Sequence, residues 1–183
     1  TLDRIESKSA KVAVVGLGYV GLPLVLTLFK KGFSVIGFDV DPKKIAHLKK
    51  GTSYIRNIAQ EEVLTLSQSE HFICGTDPRL LSEADVILMC VPTPLTKNRE
   101  PDMSYIVATT QVIKDHMKQG QLIVLESTTY PGTTEEVVRP VLETQDFQQG
   151  VDFFLAYSPE REDPGNPTFS TAVIPKVVGA DDE

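Results

Sequence analysis

With 183 residues, 41% of them hydrophobic and 23% charged, the chain has the composition of one ordinary globular domain with enough apolar sequence to bury a core. A formal charge of -7 opposes broad nucleic-acid binding, and the longest apolar run, "VILMCV" at 86 to 91, is far short of the roughly 20 residues that cross a bilayer. The opening "TLDRIESKSAK" is polar with no apolar centre and does not read as a signal peptide, so a cytoplasmic protein without membrane or nucleic-acid partners is expected.

Residues 1–10 are read as an N-terminal lead and 11–183 as one domain. "KVAVVG" at 11 to 16 reads as a strand, and 20 to 31 as the helix that follows it. "SVIGFD" at 34 to 39 is the next strand, followed by a helix over 42 to 50, with Asp41 as N-cap and Pro42 at the first helical position. The stretch 51 to 71 is the least decidable, since "EEVLTLSQ" suits a short helix or a loop, and "HFICGT" at 71 to 76 is a weak strand. A strand at 86 to 91, a helix over 104 to 118 entered through Asp102 or Ser104, and a strand at 121 to 126 come next. A helix over 133 to 143, entered through Thr133 or Thr134, and strands at 152 to 157 and 175 to 179 complete the chain. Short apolar strands alternating with helices predict an α/β fold of Rossmann type, a doubly wound, mostly parallel sheet with helices on both faces.

Gly16, Gly18 and Gly21 form G-x-G-x-x-G directly after a strand and at the mouth of a helix. The first glycine allows the tight turn, the second lets a pyrophosphate approach the backbone, and the third lets the helix pack closely on the sheet. The helix then turns its unpaired N–H groups and positive dipole end toward the phosphates. Asp39 closes the second strand 21 residues after Gly18, where an acid accepts hydrogen bonds from the adenosine ribose hydroxyls. Together these point to NAD as the cofactor, and no metal site is expected. Cys74 and Cys90 fall in apolar strands and read as buried, reduced thiols.

The other polar signals lie at strand ends, the edge where such sheets bind ligands. "VPTPLT" sets Thr93 between two prolines, "ESTTYPGTT" supplies Ser127, Thr128 and Thr129, and "YSPEREDPGN" supplies Glu160, Arg161, Glu162 and Asp163.

"GLGYVGLP", "GFDVDPKKI", "VPTP", "ESTTYPGTT" and "SPEREDPGN", in this order and spacing, resemble the N-terminal half of the nucleotide-sugar dehydrogenases, the UDP-glucose and GDP-mannose dehydrogenase family. The resemblance covers nearly the whole chain, and "LESTTYPGTTEEV" with "SPEREDPGN" is most similar to the branch of UDP-N-acetylglucosamine 6-dehydrogenases. It implies oxidation of a UDP-sugar's primary alcohol to a carboxylate in two NAD-dependent steps through a thioester on a cysteine, as part of polysaccharide biosynthesis. By the same resemblance Tyr19 and Val20 lie against the cofactor, Asp39 and Lys44 hold the adenosine ribose, and Thr93 and Thr128 line the nicotinamide end. The resemblance also implies that Thr128 helps order the catalytic water, that Glu160 does general acid/base work, and that Glu160, Arg161 and Glu162 touch the substrate. UDP-glucose dehydrogenases carry a second glutamate four residues after the first, where this chain has Pro164, a departure that favours the N-acetylhexosamine branch.

The family's nucleophilic cysteine, central helix and UDP-binding domain follow the segment resembled here. The expectation is therefore a cofactor domain, inactive alone, from an enzyme that forms homodimers or higher homo-oligomers. UDP-glucose or UDP-N-acetylmannosamine dehydrogenase and a non-catalytic NAD-binding module remain alternatives. A 3-hydroxyacid or 6-phosphogluconate dehydrogenase would share the glycine turn and Asp39 but lack the "ESTTYPGTT" and "SPER" loops.

Overall fold

Strands form where β-branched and apolar residues run together, and helices where the apolar period lengthens. A computed structural model describes residues 1–159 and 176–180. Its strands are β1 Lys11–Val15, β2 Ser34–Phe38, β3 Phe72–Gly75, β4 Val86–Met89, β5 Gln121–Leu125, β6 Phe153–Tyr157 and β7 Gly179–Ala180. Its α-helices are α1 Leu2–Glu6, α2 Gly21–Lys30, α3 Pro42–Lys49, α4 Gln60–Ser67, α5 Ser104–Lys114 and α6 Arg139–Leu142.

The sheet order is β3-β2-β1-β4-β5-β6-β7, with β1 to β6 parallel and β7 antiparallel to β6. Chain order reverses between β1 and β4, which opens a crevice beyond their carboxyl ends. Alternate residues of each central strand enter separate cores. Val12, Val14, Val86 and Leu88 pack under Leu22, Val25, Leu48 and Leu66 on one face. Ala13, Val15, Ile87 and Met89 pack under Ile106, Ile113, Val138 and Leu142 on the other. Both faces are covered, so the strands read as unbroken apolar runs rather than alternating ones.

Several expectations are refined. "EEVLTLSQ" is helical, as α4, because Val63 and Leu66 find an apolar surface to bury against. "HFICGT" forms edge strand β3, paired with β2. The strand expected at 175 to 179 reduces to Gly179–Ala180 within the described residues, held to Tyr157 and Ala156. The helix expected over 104 to 118 ends at Lys114; Asp102 accepts from the Ser104 N–H at 3.0 Å, while Met103 holds the cap position.

The helix expected over 133 to 143 opens with a π turn, Thr134–Val138, before α6. Thr133 takes the N-cap position as expected, but its hydroxyl accepts from no helix N–H and instead donates to the Tyr130 carbonyl at 2.7 Å. Pro140 has no N–H to return to the carbonyl four residues earlier and crowds it, so a regular α ladder cannot run through this segment. A 3₁₀ segment, Pro78–Glu83, was not anticipated, although Asp77-Pro78 repeats the Asp41-Pro42 signal. In each, the aspartate accepts from the N–H two residues on, at 3.0 Å from Arg79 and 2.8 Å from Lys43.

Residues 1–10 are joined to the domain rather than trailing from it. Arg4 pairs at 2.5 Å with the buried Asp85, which also accepts from the Lys11 N–H at 2.9 Å.

Candidate functional site

The turn from β1 into α2 is shaped by its glycines. Gly16 has φ +91°, and a Cβ there would stand 2.7 Å from the Cys90 carbonyl oxygen. A Cβ on Gly21 would fall 1.9 Å from the Gly16 carbonyl oxygen, so the start of α2 packs directly on the turn. Around Gly18 a Cβ would meet nothing within 4 Å. Two glycines are thus demanded by the protein's own packing and the third opens on space. No side chain caps the N-terminus of α2; the Leu22 N–H there is already bonded to the Gly18 carbonyl at 3.1 Å and Pro23 has none, so an anion would meet the N–H groups of the turn that precede them.

This turn forms one wall of a cleft of about 620 Å³ that also takes in Tyr19, Val20, Asp39, Lys44, Thr93 and Thr128. Eight of the nine cofactor residues expected from sequence therefore meet in one cavity, in the volume range of small-molecule sites. Gly21, the ninth, is buried behind the turn and acts through packing rather than by lining the cleft. Glu160, Arg161 and Glu162 lie outside the described residues.

Asp39 is only 4% exposed and structures the site before any ligand arrives. Its Oδ2 accepts from the Leu17 N–H at 2.7 Å and from Lys44 Nζ at 2.8 Å, and its Oδ1 accepts from the Asp41 N–H at 2.9 Å. An ionised carboxylate has about four acceptor positions, so one remains, on Oδ1, for a hydroxyl donor. Val40, next to Asp39 in sequence, and Tyr105, Thr109 and Val112 of α5 line the same cleft and give it a largely apolar slot.

At the opposite end the Thr93 hydroxyl donates to the Thr128 carbonyl at 2.6 Å, and the Ser127 hydroxyl donates to the Val91 carbonyl at 2.6 Å. These bonds tie the loops after β4 and β5 together. Among the described residues, the Thr128 hydroxyl makes no hydrogen bond of its own and stands exposed.

Sequence reasoning missed three contributors. Glu126, buried at the cleft wall, pairs with Lys176 Nζ at 2.5 Å across 50 residues. Its signal was a carboxylate closing an otherwise apolar strand immediately before "STT". The α5 wall of the slot had no local signal, nor did Tyr54, whose hydroxyl donates to the Leu17 carbonyl at 2.7 Å.

The chain is similar to known proteins over almost its whole length. Residues 10–183 match the model for the NAD binding domain of the UDP-glucose/GDP-mannose dehydrogenase family. The chain belongs to that family. Its fold, glycine turn and Asp39 thus sit in a domain whose cofactor is NAD.

A UDP-N-acetyl-D-glucosamine 6-dehydrogenase of Pseudomonas aeruginosa is 38% identical over 171 residues, covering 93% of this chain and 40% of that protein. Protein CapL of Staphylococcus aureus is 40% identical over 169 residues, covering 91% of this chain and 38% of that protein. Among solved structures, a UDP-D-ManNAc dehydrogenase from Pyrococcus horikoshii superposes with a TM-score of 0.82 at 31% identity, over 94% of this chain and 41% of that one. The chain therefore spans about two fifths of the length of these proteins.

Proposed function

We propose that this domain carries the NAD site of a nucleotide-sugar 6-dehydrogenase acting on a UDP-N-acetylhexosamine, with UDP-N-acetylglucosamine as the first choice. The carrying observation is the meeting of Gly18, Asp39 and the Thr93–Thr128 bond in one cleft at the switch point of the sheet. The cleft's chemistry suits a dinucleotide from end to end. Open space at Gly18 and the uncapped start of α2 take the pyrophosphate. The free acceptor position of Asp39, with Lys44 beside it, takes the adenosine ribose, and the slot bounded by Val40 and Tyr105 takes the adenine. Thr93 and Thr128 then border the nicotinamide end, where the unengaged Thr128 hydroxyl is free to orient a water. NAD bound there supplies the hydride acceptor for a primary alcohol.

The nucleophile is assigned to a part of the enzyme outside this segment. Cys74, expected to be buried, is only half-buried because it lies on edge strand β3, with its thiol pKa raised chiefly by that partial burial, and Cys90 is buried at the base of the glycine turn as expected. A protonated or enclosed thiol is a poor nucleophile.

The expected result is that the 183-residue chain binds NAD, followed by fluorescence titration, and produces no NADH with UDP-N-acetylglucosamine. Steady NADH formation by the chain alone would overturn the assignment of the nucleophile. A longer polypeptide carrying this domain, assayed on a panel of UDP sugars and GDP-mannose, tests the substrate; preference for UDP-glucose or GDP-mannose defeats that part. UDP-N-acetylmannosamine is the second reading, because relatives named for it are also similar to this chain, one of them 34% identical over 161 residues.

A further inference from the structure

Leu17, between the first two glycines of the turn, is fully buried and held from both sides by residues distant in sequence. Its N–H donates to Asp39 at 2.7 Å, and its carbonyl accepts from the Tyr54 hydroxyl at 2.7 Å. The described peptide bonds include no cis bond. The Leu17 carbonyl and the Gly18 N–H therefore lie in one peptide plane and point in opposite directions within it. Tyr54 stands behind the turn, in the segment joining α3 to α4, with its ring against the apolar core. Gly18 lines the cleft. Holding the carbonyl back toward Tyr54 turns the next N–H forward.

We infer that Tyr54 is a positioning residue for the dinucleotide's phosphates: its hydroxyl fixes the Leu17–Gly18 peptide so that the Gly18 N–H faces the cleft and donates to a phosphate oxygen. The inference rests on the NAD reading above and adds a residue to it. Without the hydroxyl, the buried Leu17 carbonyl has lost its donor, and rotation of the peptide toward other partners would aim carbonyl lone pairs at a negatively charged ligand. Tyr54 is braced for this role. The Ser53 hydroxyl donates to the Ile55 carbonyl at 3.0 Å, and the Tyr54 ring meets His47 at 6.0 Å between centroids, tilted by 60°. Burial, and after it the nearby Asp39, raise the phenol's pKa, so it remains a donor throughout the neutral range.

Tyr54→Phe keeps the ring and removes only the donor. Titrations of the variant with NAD and with adenosine, which has the base and ribose but no phosphate, separate phosphate positioning from general damage. The expected result is an NAD affinity lower by about ten- to a hundredfold, the effect of one misdirected charge-assisted hydrogen bond, with adenosine affinity unchanged within about twofold. Equal NAD affinity, or equal weakening of both ligands, overturns the inference. Should the variant fail to fold, amide NMR of the unaltered chain decides instead. The Gly18 N–H resonance must move downfield with NAD and not with adenosine, and a stationary resonance refutes the inference. Failure of the unaltered chain to bind NAD removes the cofactor reading along with it, whereas normal binding with an unaffected variant removes the role of Tyr54 alone.

Discussion

Substituting alanine separately at Gly18 and Gly21 should separate cofactor recognition from folding within one motif. In Gly21→Ala the new Cβ would lie 1.9 Å from the backbone oxygen of Gly16, a contact no side-chain rotation can relieve. Restoring an ordinary carbon–oxygen separation requires α2 and the turn to part by about 1.3 Å, and overpacking of this kind costs roughly 1–3 kcal/mol or more. Gly21 begins α2, so gains in helix propensity are too small to offset this. At roughly 2–4 °C per kcal/mol for a chain of this size, the melting temperature should fall by about 2–12 °C. Gly18→Ala meets nothing within 4 Å, and its stability should stay within about 0.5 kcal/mol of the unaltered chain. Its methyl group enters the space where a pyrophosphate would approach, so NAD affinity should fall by about tenfold or more. Circular dichroism melts give the first comparison and NAD fluorescence titrations the second. A Gly18→Ala variant that melts early, or a Gly21→Ala variant as stable as the unaltered chain, would refute this division of labour.

A 2′-phosphate would sit beside the Asp39 carboxylate, and repulsion between unit charges at about 4 Å is worth roughly 1–4 kcal/mol, so calorimetry should show NAD preferred over NADP. Because Lys44 already neutralises part of that charge, the preference should lie nearer tenfold than several-hundredfold; equal affinities would remove Asp39 from its role. Asp39→Ala should narrow the gap and also lower chemical-denaturation stability, since the buried Leu17 N–H and Lys44 lose their acceptor. Lys176→Met removes this cation from the buried Glu126 carboxylate and should cost stability, by less than the roughly 3–5 kcal/mol typical of an uncompensated buried charge, as Lys176 keeps a quarter of its side chain in water and Glu126 makes a further interaction. A urea midpoint unchanged by that substitution would show the pair to be dispensable. The hydrogen bonds from Arg79 hold the Asp77 carboxyl down from 3.8 to about 2, so the stabilisation it gives the 3₁₀ segment is fully present above the ordinary value and is lost as pH falls through about 2. Carbon NMR should place its titration there, and a midpoint near 4 would show the pairing with Arg79 to be absent in solution.

The elements legible in sequence were those written in local patterns. The unbroken apolar strands, the Asp41-Pro42 helix start and the glycine spacing each state a backbone requirement within a few residues, and each appears where expected. Thr93 and Thr128 were legible as strand-end hydroxyls, although only the sheet order brings their loops within 2.6 Å of one another. The π turn before α6 shows a local signal read in part: Thr133 does hold the N-cap position, but Pro140 further along breaks the regular ladder expected after it. Glu126 with Lys176, Tyr54 with Leu17, and the α5 wall of the slot were beyond sequence reading. Each depends on groups brought together by strand order, separated by 50 residues in one pair and 37 in another. Sequence alone determined the parallel α/β domain and its dinucleotide turn, because backbone geometry and apolar period act over short spans. Tertiary structure decided which distant carboxylate, phenol and ammonium hold that turn and its cleft in place, because a buried polar group is satisfied by whatever the folded sheet sets beside it.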